Sequence, residues 1–528
     1  MRIIAEFFEE LRRRHVFRVV IAYLAGSWLV IQVLETLFPI FGLDETSIRM
    51  VVVILAIGLI PAAILSWVFE WTPAGLQRDD GVADESPDRQ QRTRNFDRLI
   101  IATLTVAVAL FAIDEFVFDA RSDAEWQEMV ERTKAFSDSL PQAKASVAVL
   151  PFRNVSENPD HSHFAIGLSE EVLSALAAIK DLKVSSSTSA FAIADTDASI
   201  AEIAEILGVG HILEGSVRRS GDRVRVTASL VDANTDARLW GESFDRELSV
   251  GDVFEIQAEI AAQVARALDV ALVGANAPRG PTDLRALDHY HDGLFYFRQM
   301  SPIRRDFEEN FEEARAHFEA AVAIDPDWAP PVSMLGTLYH SARDLADNPD
   351  EWLETSRAFI ERALELDPGF GPAHGSLAYL LTFDGKYEEA LQRYDLAILR
   401  GANLAHWGKA ITLRVLGRHN EAIDEFLAAA AVDPLDEVGR FQLFETYYCA
   451  GRYDDSIDGI SRFTEVGPGF IYARILLARA HAHAGDTETA GAMADEIAAQ
   501  IGDDAPLATV FALIGDDERA STALAAVA

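Results

Sequence analysis

The sequence predicts a multidomain chain made of a helical membrane anchor, an α/β domain and an all-α solenoid of helical repeats. Three observations predict it. Three long apolar runs fall within the first 118 residues, short β-branched runs alternate with amphipathic stretches over 146–270, and a period of about 34 residues recurs from 283 onward. At 528 residues the chain is too long for one core, since domains run to roughly 100–200 residues. Its 84 acidic and 46 basic residues give a formal charge of −38, although 49% of residues are hydrophobic. Residues 1–98 hold 11 basic and 13 acidic side chains, so nearly all the acidic excess follows them. An arm this acidic repels phosphate backbones, and no nucleic-acid partner is expected. The lone Cys449 excludes an internal disulfide and any Cys-based zinc ribbon.

The anchor is expected over 19–118, with helices at about 19–40, 50–69 and 98–118 and a basic, amphipathic cytoplasmic segment at 1–18. Residues 50–69 carry no charge, and Pro61 is tolerable in a membrane helix. The third run is shorter, and Asp114 and Glu115 interrupt it near one end. Arg12, Arg13, Arg14 and Arg18 precede the first run; Arg78, Arg89, Arg92, Arg94 and Arg98 separate the second from the third. Both clusters belong on the cytoplasmic side, which sends everything after about residue 119 across the membrane. Glu35 lies near a helix end and reads as reaching the headgroups. The stretch EELRRRHVFRVVIAYLAGSWLVIQVLETLFPIFGL, followed by VFEWTPAGLQR, resembles the N-terminal anchor of a proteobacterial class that joins such an anchor to a TolB-like domain and tetratricopeptide repeats.

A polar, helical connector is expected over 119–145. The α/β domain follows over 146–270, beginning with the strand SVAVLPF. A helix is then read in GLSEEVLSALAAI, with Ser169 as its cap and Glu170 and Glu171 at its positive end. The strand LKVSS and the helix SIAEIAEILG come next. Ser220-Gly221-Asp222 and Asn234-Thr235-Asp236 divide the following stretch into a three-stranded meander, and VFEIQAEIAAQVARAL closes the domain. The blocks AVLPF, GLSEEV, HILEGSVRRSG and ARLWGESFDR resemble the TolB-like N-terminal domain, which implies a non-catalytic interaction module. Gly208-x-Gly210 with Gly215 reads as a helix-to-strand turn, because it lacks the strand and helix of a dinucleotide fingerprint. His161-x-His163 reads as part of a solvated loop, and Arg218, Arg219, Arg223 and Arg225 as a solvated cross-strand face.

The solenoid is expected over 283–528, with about six repeats. Pro326, Pro368, Pro434 and Pro468 mark recurring turns, and Ala402 stands where the period places a missing proline. Twelve residues before these turns lie Ala314, Ser356, Ala390, Ala422 and Ser456; eight before lie Phe318, Ile360, Tyr394, Phe426 and Ile460. Gly385, Gly417, Gly451 and Gly485 recur at the turn between paired helices, where glycine permits the tight reversal. The small residues allow close approach and the large ones fill the space between helices. This pattern resembles the tetratricopeptide repeat, and DDERASTALAAVA reads as a terminal cap. His289-x-His291 and His481-x-His483 are poor metal pairs, because residues two apart on a helix diverge. Cys449 reads as a small core residue.

No nucleophile with its base and no phosphate loop is present in these patterns, so neither an enzyme nor a catalytic, cofactor or metal site is expected. The reading is a membrane-anchored interaction scaffold or signalling regulator in the bacterial inner membrane, its soluble domains periplasmic. Its partners are a protein or peptide on the concave repeat face, lipid through the anchor and, by self-association, a second copy. The alternative is a regulatory component related to adenylate-cyclase or winged-helix transcription-regulator proteins but without their effector domain.

Overall fold

The computed structural model describes Ser27, residues 69–72 and 75–78, scattered positions between 133 and 140, and most of 145–525, with breaks chiefly at 272–279, 301–306 and 465–470. The chain divides into two units, Met1–Gln127 and Glu128–Ala528. In the first, β1 (Phe69–Thr72) and β2 (Gly75–Arg78) form an antiparallel hairpin in which Phe69 faces Arg78. The membrane-anchored fold class is corrected here. Among the described residues no helix is long and apolar enough to cross a membrane, and most of the described chain is helical repeat. The runs at 19–40, 50–69 and 98–118 lie outside the described residues except for Ser27 and for Phe69, which opens a strand rather than closing a span. The lipid contact expected through that anchor is withdrawn with it. Hydropathy registers apolar content without registering what covers it, so a run of this kind does not by itself distinguish a span from a buried segment.

The second unit opens with an α/β domain. Four buried residues form β3 (Ser146–Val149), which pairs in parallel with β5 (Lys183–Val184) on one side and β6 (His211–Ser220) on the other. The short β4 (Arg153–Asn154) also runs parallel to β6. From β6 the sheet continues as an antiparallel meander through β7 (Arg223–Asp232) and β8 (Ala237–Glu247), giving the order β5-β3-β6-β7-β8. Gly221, at φ +56°, makes the first meander turn. Over the first part of β7, from Arg223 to Ala228, alternate residues are exposed and buried, as a sheet with one solvated face requires, while Ala228 to Val231 are all buried.

Helix α1 (Ser162–Ala177) covers the sheet and starts seven residues before Ser169. Ser169 is therefore not a cap. Its buried hydroxyl donates to the Ala165 carbonyl and accepts from the Phe152 N–H at 2.7 Å, tying β4 to the middle of the helix. Glu170 and Glu171 accordingly sit in mid-helix, away from its positive end. Helices α2 (Ser187–Ala194) and α3 (Ile200–Leu207) follow; Ser199 and Glu202 close a reciprocal capping box on α3, and Gly208 ends it at φ +60°. Helix α4 (Val250–Ala267) completes the layer on α1. The core joins Val147, Leu168, Val172, Leu230, Phe244, Ile256 and Ile260, and it runs on without a break into Leu287 and Trp328 of the repeats.

Seven antiparallel helix pairs follow among the described residues: α5 (Leu284–Gln299) with α6 (Phe307–Ile324), α7 (Ala329–Ser341) with α8 (Pro349–Leu366), α9 (Gly371–Phe383) with α10 (Tyr387–Leu399), α11 (Ala405–Val415) with α12 (His419–Val432), α13 (Glu437–Cys449) with α14 (Tyr453–Thr464), α15 (Ile471–Ala484) with α16 (Thr487–Ile501), and α17 (Ala505–Ile514) with α18 (Asp517–Ala525). Gly385, Gly417, Gly451 and Gly485 all have positive φ, and a Cβ at any of them would meet nothing within 4 Å. Glycine is needed there for backbone conformation rather than for space. First helices of successive pairs also touch: α7 meets α9, α9 meets α11, α13 meets α15, and α15 meets α17. In a curved stack the row whose members meet is the inner one, so the first helices line the concave side.

Candidate interaction surface of the repeat array

The recurring side chains occupy the spaces between helices. Ala314, Phe318, Ser356, Ala390, Tyr394, Ala422, Phe426 and Ser456 are all buried, as are Ile360 and Ile460. Ser356 donates to the Gly336 carbonyl at 2.7 Å and Ser456 to the Phe444 carbonyl at 2.9 Å, so the small residue is also a hydrogen-bonding peg between paired helices. The large residues press on glycines of first helices: Phe318 on Gly293, Ile360 on Gly336 and Tyr394 on Gly408. These glycines escaped the sequence reading, because a glycine inside a helix carries no turn signal. Pro326 and Pro368 are exposed at their turns, whereas Pro434 is buried; Pro468 lies outside the described residues.

Pro434 is buried because the α/β domain docks along this turn edge. The Ser186 N–H donates to the Val432 carbonyl at 2.7 Å, the Leu435 N–H donates to Ser189 Oγ at 3.1 Å, and Ser189 donates its own hydroxyl to Asp433. Burial pushes the Asp433 carboxyl above the usual carboxylate range, with the Ser189 and Ser186 hydroxyls opposing the shift. One turn earlier, Gly401 has φ +86° and faces the end of α1, where a Cβ would come 3.0 Å from the backbone of Ala178. At Ala402, where the period places a proline, the backbone N–H donates to the Ala397 carbonyl at 3.0 Å, a bond that proline could not make. Thr282 ties down the first turn by donating both its N–H and its hydroxyl to Asp325.

At the array's start, α1 packs on α5 so closely that a Cβ on Gly167 would strike the His291 ring. His291 is fully buried and lies 3.1 Å from Glu171, to which Gln257 also donates; Arg298 pairs with Glu170. Burial raises the Glu170 pKa, and the Arg298 and His291 charges oppose that. Three of the four meander arginines pair with carboxylates, within the domain or against the array. Arg223 and Arg225 clasp Asp245, Arg219 donates to both Asp288 oxygens, and Arg218 donates to the Val155 carbonyl.

The inner row carries a ladder of polar contacts between successive first helices. Thr337 meets Ser376 at 3.0 Å, Arg343 donates to the Tyr379 hydroxyl at 2.6 Å, Thr382 meets Thr412 at 2.9 Å, and Arg414 pairs with Glu445. Beside it, at the start of three successive first helices, stand Leu404, Val438 and Tyr472, which are 59%, 61% and 69% exposed. They recur at intervals of 34 residues. Leu404, Trp407, Ala429, Asp433, Asp436 and Val438 enclose a cleft of ≈ 250 Å³ between α11, α12 and α13. A second row, Phe383, Val415, Cys449 and His483, is exposed near the ends of first helices. Cys449 is thus at the surface rather than in the core, because it closes α13 beyond the packed residues Leu443, Phe444 and Thr446. His481 approaches Asp486 while His483 stacks on Tyr453, so this pair diverges.

These helix pairs, with their periodic small, large and glycine positions, define a tetratricopeptide-type array. Residues 143–263 match a family profile described as the second domain of HilA/YgeH-like transcriptional regulators. The α/β segment therefore resembles that regulator domain, in place of the TolB-like module expected from the sequence. A Rhizobium meliloti (strain 1021) protein provisionally named adenylate cyclase 3 is 34% identical over 194 residues, or 35% of this chain and 31% of that protein. The match thus spans about a third of the relative's length. Similar solved structures include PilW, described as a type IV pilus biogenesis factor (15% identity, 43% of this chain and 99% of that one, TM-score 0.36). Others are YrrB, described as a TPR protein with an unusual peptide-binding site (21%, 39% and 97%, TM-score 0.29), and pilF of Pseudomonas aeruginosa (16%, 41% and 92%, TM-score 0.34).

Proposed function

We propose that this chain is a non-enzymatic interaction scaffold in which the α/β domain braces one edge of the repeat array while the array binds a partner polypeptide. The observation that carries this reading is the exposure of a large apolar side chain once per repeat, at Leu404, Val438 and Tyr472. Such residues at a fixed period offer evenly spaced anchor points to a chain laid across successive repeats, and the cleft beside Trp407 accepts one apolar side chain of it. The name of YrrB, which mentions peptide binding, is in keeping with this reading. A displayed random-peptide library selected on the full-length protein tests it. Recovered peptides should carry apolar anchors and bind Leu404→Glu and Val438→Glu variants at least tenfold more weakly. Equal binding to the variants would refute the site.

The profile match at 143–263 and the adenylate cyclase relative favour a second reading, a regulatory component of a signalling or transcription system. The two readings are compatible if the bound partner supplies the effector. Formation of cyclic nucleotide by the purified protein would instead make the chain an enzyme and overturn the scaffold.

A further inference from the structure

We propose that His289, Asp292 and His317 form a binding site for a divalent transition metal of the zinc class, with His163 as a positioning residue for Asp292. Two of the ligands share a face of α5, being three residues apart, and the third comes from its antiparallel partner α6. One ligand atom from each of the three lies within 4.8 Å of the others. His289 Nδ1 and His317 Nδ1 are 3.1 Å apart, and His317 Nδ1 is 3.6 Å from Asp292 Oδ2. With metal–ligand bonds of about 2.0–2.1 Å, tetrahedral ligands stand about 3.3 Å from one another. The two observed separations bracket that edge, and the third, His289 to Asp292, lies within 4.8 Å.

The other Asp292 oxygen is held by His163 Nδ1 at 2.7 Å, an outer contact that fixes how the carboxylate is presented. The imidazole planes are also fixed. His317 stacks on Tyr296 and His163 on Phe295, with centroids 5.6 and 3.9 Å apart. His163, Asp292 and His317 side chains are 25%, 30% and 23% exposed, which leaves an approach from solvent and a coordination position for water. Two imidazoles and a carboxylate suit zinc, nickel, copper(II) or cobalt rather than calcium or magnesium. His163 belongs to α1, so the ion would clasp the α/β domain to the first helix pair.

The experiment is a cobalt(II) titration of the full-length protein, read by visible absorption and reversed with zinc. The intense ligand-field bands of four-coordinate cobalt should saturate at one ion per chain and disappear on adding zinc. His289→Ala and His317→Gln should each abolish them, with helical circular dichroism checked for each so that misfolding of one does not pass for a lost ligand. His163→Ala should keep the bands and weaken affinity about 10- to 100-fold, and the double variant His481→Ala/His483→Ala should match the parent. Only the weak spectrum of hydrated cobalt with the parent protein, or bands unchanged in folded His289→Ala and His317→Gln, would overturn the site.

Discussion

Substituting Gly401 with alanine probes the docking of the α/β domain on the repeats, and Gly451→Ala supplies the matching control. Both glycines have positive φ, +86° and +74°, so both variants carry the left-handed penalty of a side chain, about 1–2 kcal/mol. At Gly451 the new methyl meets nothing within 4 Å. At Gly401 it comes 3.0 Å from Ala178 N and Cα and 3.2 Å from the Ala177 carbonyl carbon. Those are backbone atoms, and the approach is about 0.5 Å inside an optimal carbon contact. Overpacking of this kind costs about 1–3 kcal/mol. Gly401→Ala should therefore lose about 1–3 kcal/mol more than Gly451→Ala. Urea unfolding gives the two losses, and hydrogen exchange locates them, with faster exchange expected at the end of α1 and at 432–436 in the first variant only. Equal losses, with unchanged exchange in those segments, would refute the docked arrangement.

Phe426 is 1% exposed between paired helices, and Phe426→Ala should destabilise the array by about 3–5 kcal/mol, measured by the shift in urea midpoint. Ser199→Ala opens the capping box of α3 and should cost about 1 kcal/mol by the same measurement. Burial holds the His340 imidazole down to about 4, well below its ordinary 6.5. The unfolded chain takes up this proton first, so the stability linked to His340 is complete above pH 6.5 and falls as pH drops towards 4, by about 3 kcal/mol at most. Between pH 7 and pH 4.5 a His340→Gln variant should lose less stability than the parent; identical losses would show that His340 is not the group responsible.

Local rules made part of this architecture legible in the sequence. Gly385 and Gly417 announce reversals, and Phe318 and Ala314 recur because every helix pair solves the same packing problem. Even the absence of proline at Ala402 was visible, although the bond its N–H makes to the Ala397 carbonyl was not. What stayed hidden depends on contacts between distant segments. Ser169 has the look of a cap, yet its partner is the Phe152 amide just before β4. His289 and His291 diverge as their spacing requires, but His289 finds His317 on the next helix and His291 finds Glu171 on α1. The exposed stripe was missed because Leu404, Val438 and Tyr472 share a register but not a residue type. The anchor and the TolB-like assignment rested on hydropathy and on block resemblance, neither of which reports what the segments pack against.

The central claim is that the stripe on the first helices receives another polypeptide rather than serving only as a platform for the chain's own α/β domain. A photo-crosslinking amino acid placed at Val438 in the full-length protein, in the cells that make it, tests this most directly, with the same probe at exposed Arg462 on α14 as reference. The account predicts adducts to a second protein from position 438 that are absent from position 462 and are lost when Leu404 is also changed to glutamate. Crosslinks from position 438 that fall only within residues 145–270 of the same chain would contradict it.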